Sequence, residues 1–165
     1  MLDNPLRGGG ESFIIDRPGR YCLGKNMSTR LDLPDGPEQS FLISIRADDV
    51  DLDLRGHTLD RGWNRSGAGK HGIELSAKRI GDPGARDVTI SNGILRGFGA
   101  GIIGLLDCQR TDCASAQITY DAASDTYHYA SDNITVKNVK FENVKYKINF
   151  SDGRGHAVLA TGDRR

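Results

Sequence analysis

Apolar and polar residues alternate with a period of two in three short segments of this chain. They are Asp49-Val50-Asp51-Leu52-Asp53-Leu54, Asp87-Val88-Thr89-Ile90-Ser91-Asn92 and Asn133-Ile134-Thr135-Val136-Lys137-Asn138, which start at positions 49, 87 and 133. Each opens on a turn former. Period two means β-strand, and it predicts that Val50, Leu52, Leu54, Val88, Ile90, Ile134 and Val136 face a core while Asp51, Thr89 and Thr135 point out. A second short strand follows each segment: Thr58-Leu59, Gly93-Ile94-Leu95 and Val139-Lys140-Phe141. A third type lies between the units, as Phe41-Leu42-Ile43-Ser44-Ile45, His71-Gly72-Ile73-Glu74-Leu75, Ala100-Gly101-Ile102-Ile103 and Tyr146-Lys147-Ile148-Asn149-Phe150. No segment longer than about ten residues carries the three- and four-residue spacing of an amphipathic helix.

Three strand types recurring in fixed order describe a coil with three sides, and stacked coils turn each side into a parallel sheet with strands about 4.8 Å apart. The expected fold is therefore all-β: a short right-handed parallel β-helix, a single-stranded solenoid with three parallel sheets. Asn92 and Asn138 end equivalent strands, so stacking brings their amides together in a ladder. An antiparallel sandwich also uses short strands and Gly-rich turns, but it gives no reason for near-identical repeats.

The runs Ile45-Arg46-Ala47-Asp48-Asp49-Val50-Asp51-Leu52-Asp53-Leu54-Arg55-Gly56-His57-Thr58-Leu59 and Val88-Thr89-Ile90-Ser91-Asn92-Gly93-Ile94-Leu95-Arg96-Gly97-Phe98-Gly99-Ala100-Gly101-Ile102 carry a family likeness. With the upstream Ile14-Ile15-Asp16-Arg17-Pro18-Gly19-Arg20-Tyr21-Cys22-Leu23, they resemble bacterial right-handed β-helix repeat proteins of the pectin-lyase-like superfamily. The resemblance runs from about Phe13 to Phe150 and implies the fold. It implies little about function, because that superfamily holds lyases, hydrolases, epimerases, phage tail parts and non-enzymatic proteins. This chain is much shorter than the enzymes and lacks a recognisable catalytic signature of theirs.

The 165 residues are expected to form one domain. Residues 1–12 read as a loose tail, 13–40 as an N-terminal capping segment with a Pro18-Gly19 turn, and 41–150 as the coils. Residues 151–165 are a terminal strand and tail. Two insertions leave the stack, 62–70 and the long 107–132, and removing 114–130 is expected to leave the β-fold intact. Solenoid ends expose unpaired backbone, so a homo-oligomer formed through those ends is a further expectation.

Glycine, 21 of 165 residues, is enriched as many turns require. Lys plus Arg and Asp plus Glu are both 22, which removes the electrostatic footprint of a nucleic-acid or anionic-membrane partner. Neither an apolar membrane-length run nor a signal peptide is visible, so the expected location is cytoplasmic, or exported without a recognisable signal. Cys108 and Cys113 are spaced for neither a thioredoxin-like nor a zinc motif; a loop disulfide and two idle thiols stay open as alternatives.

Asp51 and Asp53 are the weak catalytic candidates. Two residues apart on one strand face, they lie ~7 Å apart, inside the ~5–9.5 Å window of glycoside hydrolysis. Their bland reading is a solvated face and a turn. Arg46, Arg55, Arg61, Lys70 and His71 supply the basic residues a β-elimination would need. The four histidines lack metal-ligand spacing, and Gly97-Phe98-Gly99-Ala100-Gly101 opens no helix, so neither a metal nor a cofactor is expected. Binding is expected instead from Tyr120, Tyr127, His128 and Tyr129 in the long insertion and from Lys137, Lys140 and Lys147 on the last coil. The expectation is a non-catalytic β-helix that recognises a partner, a protein ahead of a glycan and inhibitor or immunity-like in kind. The alternative is a carbohydrate-active lyase or hydrolase.

Overall fold

The computed structural model describes residues 4–6, 13–28, 41–61, 71–76, 84–105, 117–151 and 157–162. Its strands in chain order are β1 (Asn4–Leu6), β2 (Phe13–Ile15), β3 (Gly19–Leu23), β4 (Met27–Ser28), β5 (Phe41–Ile45), β6 (Val50–Asp53), β7 (Thr58–Asp60) and β8 (His71–Leu75). There follow β9 (Val88–Arg96), β10 (Ala100–Leu105), β11 (Ile118–Asp121), β12 (Thr126–Tyr129), a 3-10 turn (Ala130–Asp132), β13 (Ile134–Glu142), β14 (Tyr146–Ser151) and β15 (Ala157–Thr161). The protein is all-β. Its chain alternates between two sheets, one of six strands in the order β15-β14-β10-β8-β5-β2 and one of nine along β1-β3-β6-β9-β13-β12-β11, with β4 and β7 joined to it through β9.

The repeats pair in parallel and in the register their hydrophobic pattern predicts. Val50 stands beside Val88 and Val88 beside Ile134; Leu52, Ile90 and Val136 form the next column. All six are nearly inaccessible, and Asp51, Thr89 and Thr135 on the opposite face are half-buried. In the six-stranded sheet Ile43, Ile73, Ile102 and Ile148 stack in one column. Four identical branched side chains at the strand spacing bury one another's methyl groups, and all four belong to a core cluster shared by both sheets. Gly104 lets that core close, because a Cβ there would lie 2.7 Å from a ring carbon of Phe150.

Two sheets, not three, result, because β9 and β13 run unbroken through the bend where separate strands were expected. At the bend Asn92 and Asn138 adopt left-handed backbone angles, φ 59° and 52°. Asn138 Nδ2 donates to Asn92 Oδ1 at 2.9 Å and Asn92 Nδ2 to Asp53 Oδ1 at 3.1 Å, so the expected amide ladder exists and has Asp53 as its first rung. A second left-handed set, Asp49, Asp87 and Asn133, precedes β6, β9 and β13, and there Asn133 Nδ2 donates to Asp87 Oδ1 at 2.8 Å. Short polar side chains tolerate this conformation by bonding locally, which is why turn formers head each repeat.

Three other expectations need correction. Within the supposed tail, Asn4–Leu6 forms a strand parallel to β3. The capping segment splits at its Pro18-Gly19 turn, β2 entering one sheet and β3 the other. The long insertion is not simply a loop: β11 and β12 form an antiparallel hairpin, and β12 pairs antiparallel with β13. Its alternation places Tyr127 and Tyr129 inward, 8% and 3% exposed, with Tyr129 against Phe150 at 5.1 Å between ring centroids. The terminal strand β15 closes the other sheet, antiparallel to β14. Each sheet thus ends on an antiparallel strand on one side, while β1 and β2 at the opposite sides pair in parallel. Deleting 114–130 would strip rings from the core, so the insertion is structural.

Two stability measurements check this account. Asn92→Gly keeps left-handed freedom but loses the ladder and should cost about 1 kcal/mol in urea unfolding; Asn92→Ala, which also meets the backbone penalty, should cost about 1 kcal/mol more. Equal costs would show that the backbone bend is not the constraint. Tyr129→Ala should cost about 3–5 kcal/mol, as for other large buried rings, against less than about 1 kcal/mol for Tyr120→Ala at the surface.

Candidate functional site

The stacking that turns Ile73, Ile102, Ile148 and Phe150 inward turns another column outward. Glu74, Ile103 and Asn149 are register partners across β8, β10 and β14. They line a cavity of about 240 Å³ on the outside of the six-stranded sheet, together with His71, Ser151 and the strand segments at Leu75 and Gly104. His71 Nδ1 and Asn149 Oδ1 are both buried without a hydrogen-bond partner among the described residues. Burial pushes the His71 imidazole below its ordinary pKa, and the nearby Arg61 cation pushes it the same way. His71 is thus a neutral ring near pH 7, with one nitrogen donating and the other accepting.

The strand geometry sets the spacing of these groups. His71 and Glu74 are three residues apart on one strand, so their backbones lie ~10 Å apart; Glu74 and Asn149 are two strand spacings apart, again ~10 Å. Among the described lining residues Glu74 is the one carboxylate, where glycoside hydrolysis ordinarily uses two. His71, Glu74 and Asn149 ring an area the size of a small molecule, with the Ile103 side chain between Glu74 and Asn149.

The residues singled out from sequence fall elsewhere. Asp53 Oδ1 accepts the Arg55 N–H at 2.8 Å as well as Asn92 Nδ2, which makes it a corner residue. Asp51 Oδ2 lies 3.6 Å from Arg20 Nε at the surface. Both aspartates stand on β6, in the nine-stranded sheet, and neither lines the cavity. Of the basic set, Arg61 and His71 come together, Arg46 Nε donates to Ser44 Oγ at 3.1 Å, and Lys70 lies outside the described residues. Cys22 is a buried free thiol, and Cys108 and Cys113 also lie outside.

Within the binding set, Tyr120 is 51% exposed, stacks on Tyr127 at 4.4 Å and donates its hydroxyl to Asp125 at 2.9 Å. Tyr127 and Tyr129 are core residues, and Lys147 Nζ donates to the Tyr127 hydroxyl at 3.0 Å. His128 faces outward, its Nδ1 3.1 Å from Thr135 Oγ1, while Lys137 and Lys140 are exposed on β13. These side chains do not converge on one pocket. Glu74, Asn149 and Ser151 were missed, although aligning His71–Leu75 with Tyr146–Phe150 and reading the outward column would have paired Glu74 with Asn149.

Among the described residues, no group of three His, Cys, Asp or Glu is placed to hold a metal ion, and no helix is long and apolar enough to cross a membrane. No family model matches the chain, and neither a search of curated proteins nor one of solved structures finds a match.

The neutral state of His71 has a pH signature. The unfolded imidazole takes up a proton below its ordinary value of about 6.5, whereas the folded one resists until lower pH. The stability tied to His71 is therefore full above about pH 6.5 and is lost as pH falls through the window below it. Urea midpoints of His71→Gln should decline less than those of the parent chain between about pH 7.5 and 5. Parallel declines would show that the ring is not held neutral.

Proposed function

We propose that the chain is a short right-handed parallel β-helix and a binding module, not an enzyme, which holds a hydroxyl-rich ligand of glycan type in the cavity of its six-stranded sheet. The helical reading draws support from the in-order parallel pairing of the repeats, their left-handed corners and the sequence resemblance to pectin-lyase-like repeat proteins. The observation that carries the binding reading is the cavity itself, lined by His71 and Asn149, each of which keeps one buried polar atom without a partner among the described residues.

An unsatisfied buried polar atom costs about 1–3 kcal/mol, so a cavity lined by two residues that each keep one favours a ligand that supplies the missing partners. A sugar ring does so. One hydroxyl donates to the Asn149 carbonyl oxygen, another meets the imidazole, and the ring's C–H face rests on Ile103. The Glu74 carboxylate and the Ser151 hydroxyl complete the polar rim.

A concave, ring-sized hollow favours a small ligand or a chain end over a flat protein surface. The protein-partner expectation also loses Tyr127, Tyr129 and Lys147 to internal packing. Among the described lining residues Glu74 is the one carboxylate, whereas glycoside hydrolysis ordinarily uses a pair.

Asn149→Leu separates binding from stability. It keeps a similar branched shape without the orphan oxygen, so the thermal midpoint should hold or rise while affinity for glycans retained on an array falls at least about tenfold. Unchanged retention by the variant would sink the cavity as the binding site.

A further inference from the structure

Resting on the cavity as the binding site, we infer that it sorts ligands by charge, preferring amino-bearing and then neutral sugar residues over acidic ones, with Glu74 as the specificity-determining residue. Glu74 is the one lining residue, among those described, that carries a full charge; Ile103, Asn149 and Ser151 are neutral. His71 adds no positive charge near neutral pH, for the reasons of burial and neighbouring charge given above. Arg61, the cation whose charge acts on His71, is 1% exposed and is not among the described residues that line the cavity.

The geometry also orients the ligand. Glu74 stands ~10 Å from His71 along β8, so the negative charge lies at one end of the cavity. A ligand ammonium belongs at the Glu74 end, where it forms a charge-assisted hydrogen bond, and hydroxyls belong at His71 and Asn149. A carboxylate brought to the Glu74 end meets a like charge in a half-buried place, where water screens it incompletely.

The effect is large enough to measure with matched monosaccharides. Ligand-observed NMR titration of the full chain would use the methyl glycoside, the 2-amino sugar and the uronate in each of the gluco, galacto and manno series. At low ionic strength the amino sugar of the best-binding series should bind about fivefold or more tighter than the neutral glycoside, and the uronate should be weaker than both by a similar factor. Glu74→Gln should bring the three within about twofold, and Glu74→Asp, which keeps the charge, should preserve the order. Glu142→Gln, which removes a surface carboxylate paired with Arg96 on the other sheet, should also leave the order unchanged.

A uronate that binds as tightly as the amino sugar would overturn the charge selection and leave the cavity reading standing. An order that survives Glu74→Gln in a folded variant would overturn the role of Glu74. Failure of all nine sugars to bind the parent chain would overturn the cavity reading and the charge selection with it.

Discussion

Each repeat has to change direction within one or two residues and then present its next strand in register with the repeat below. The left-handed backbone conformation makes that turn, and for most side chains it costs roughly 1–2 kcal/mol. Of the eight non-glycine residues with positive φ among those described, Arg55 alone is not Asp or Asn. The short polar side chain meets the steric demand, and in a stack it finds the same group one repeat away. Asp53, Asn92 and Asn138 bond in sequence, as do Asp87 and Asn133. Backbone groups follow the same path: the Asp49 N–H donates to the Arg86 carbonyl and the Asp87 N–H to the Asp132 carbonyl. A corner is therefore satisfied only when its neighbours turn at the same place, which couples the register of every strand to the positions of a few Asp and Asn residues.

Register then decides both the core and the site. A one-residue slip would exchange inward and outward columns, burying Glu74 and Asn149 and exposing Ile73 and Ile148. With the corners aligned, the isoleucine column fills the interior and the Glu74, Ile103, Asn149 column is left outside. The two sheets use their outer faces differently. Outside the nine-stranded sheet, polar groups bond to each other, as Arg96 does with Glu142 at 2.7 Å and with Asp60 at 3.6 Å. Outside the six-stranded sheet, two buried polar atoms keep unused bonding capacity at one hollow. A stack selected for stability alone tends to pair or replace such atoms, which is why the proposed binding reading is set at this cavity.

Much of the strand pattern was legible because period-two alternation survives in a single sequence. The bounds of β5 and β8 match the segments read from Phe41 to Ile45 and from His71 to Leu75, and the asparagine ladder followed from alignment alone. Other features depended on information that alternation does not carry. Whether β9 continues through Asn92 is a matter of hydrogen bonding on both sides of a bend, so three expected sheets became two. The hairpin was hidden because Tyr127-His128-Tyr129 is a three-residue alternation beside a Ser- and Asp-rich turn, and composition outweighed it. The cavity unites Glu74 with Asn149, distant in the chain, through a register visible only when strands are compared column by column.

The antiparallel strands that end the stack do more than hide its last repeat. A parallel array leaves one row of backbone groups and one layer of apolar side chains uncovered at its edge, and an antiparallel strand satisfies both while presenting a different edge to further parallel growth. In the nine-stranded sheet β12 supplies Tyr127 and Tyr129 for this purpose. In the six-stranded sheet β15 pairs Val158 with Phe150 on the inner face and Leu159 with Asn149 on the outer face. Leu159, 44% exposed, therefore extends the cavity's outward column by one strand. The same register that closes the core sets an apolar side chain beside the unpartnered Asn149 oxygen, so the capping strand also shapes the proposed binding surface. A ligand with one apolar and one hydroxylated face suits that arrangement, which links the end of the fold to the chemistry of its site.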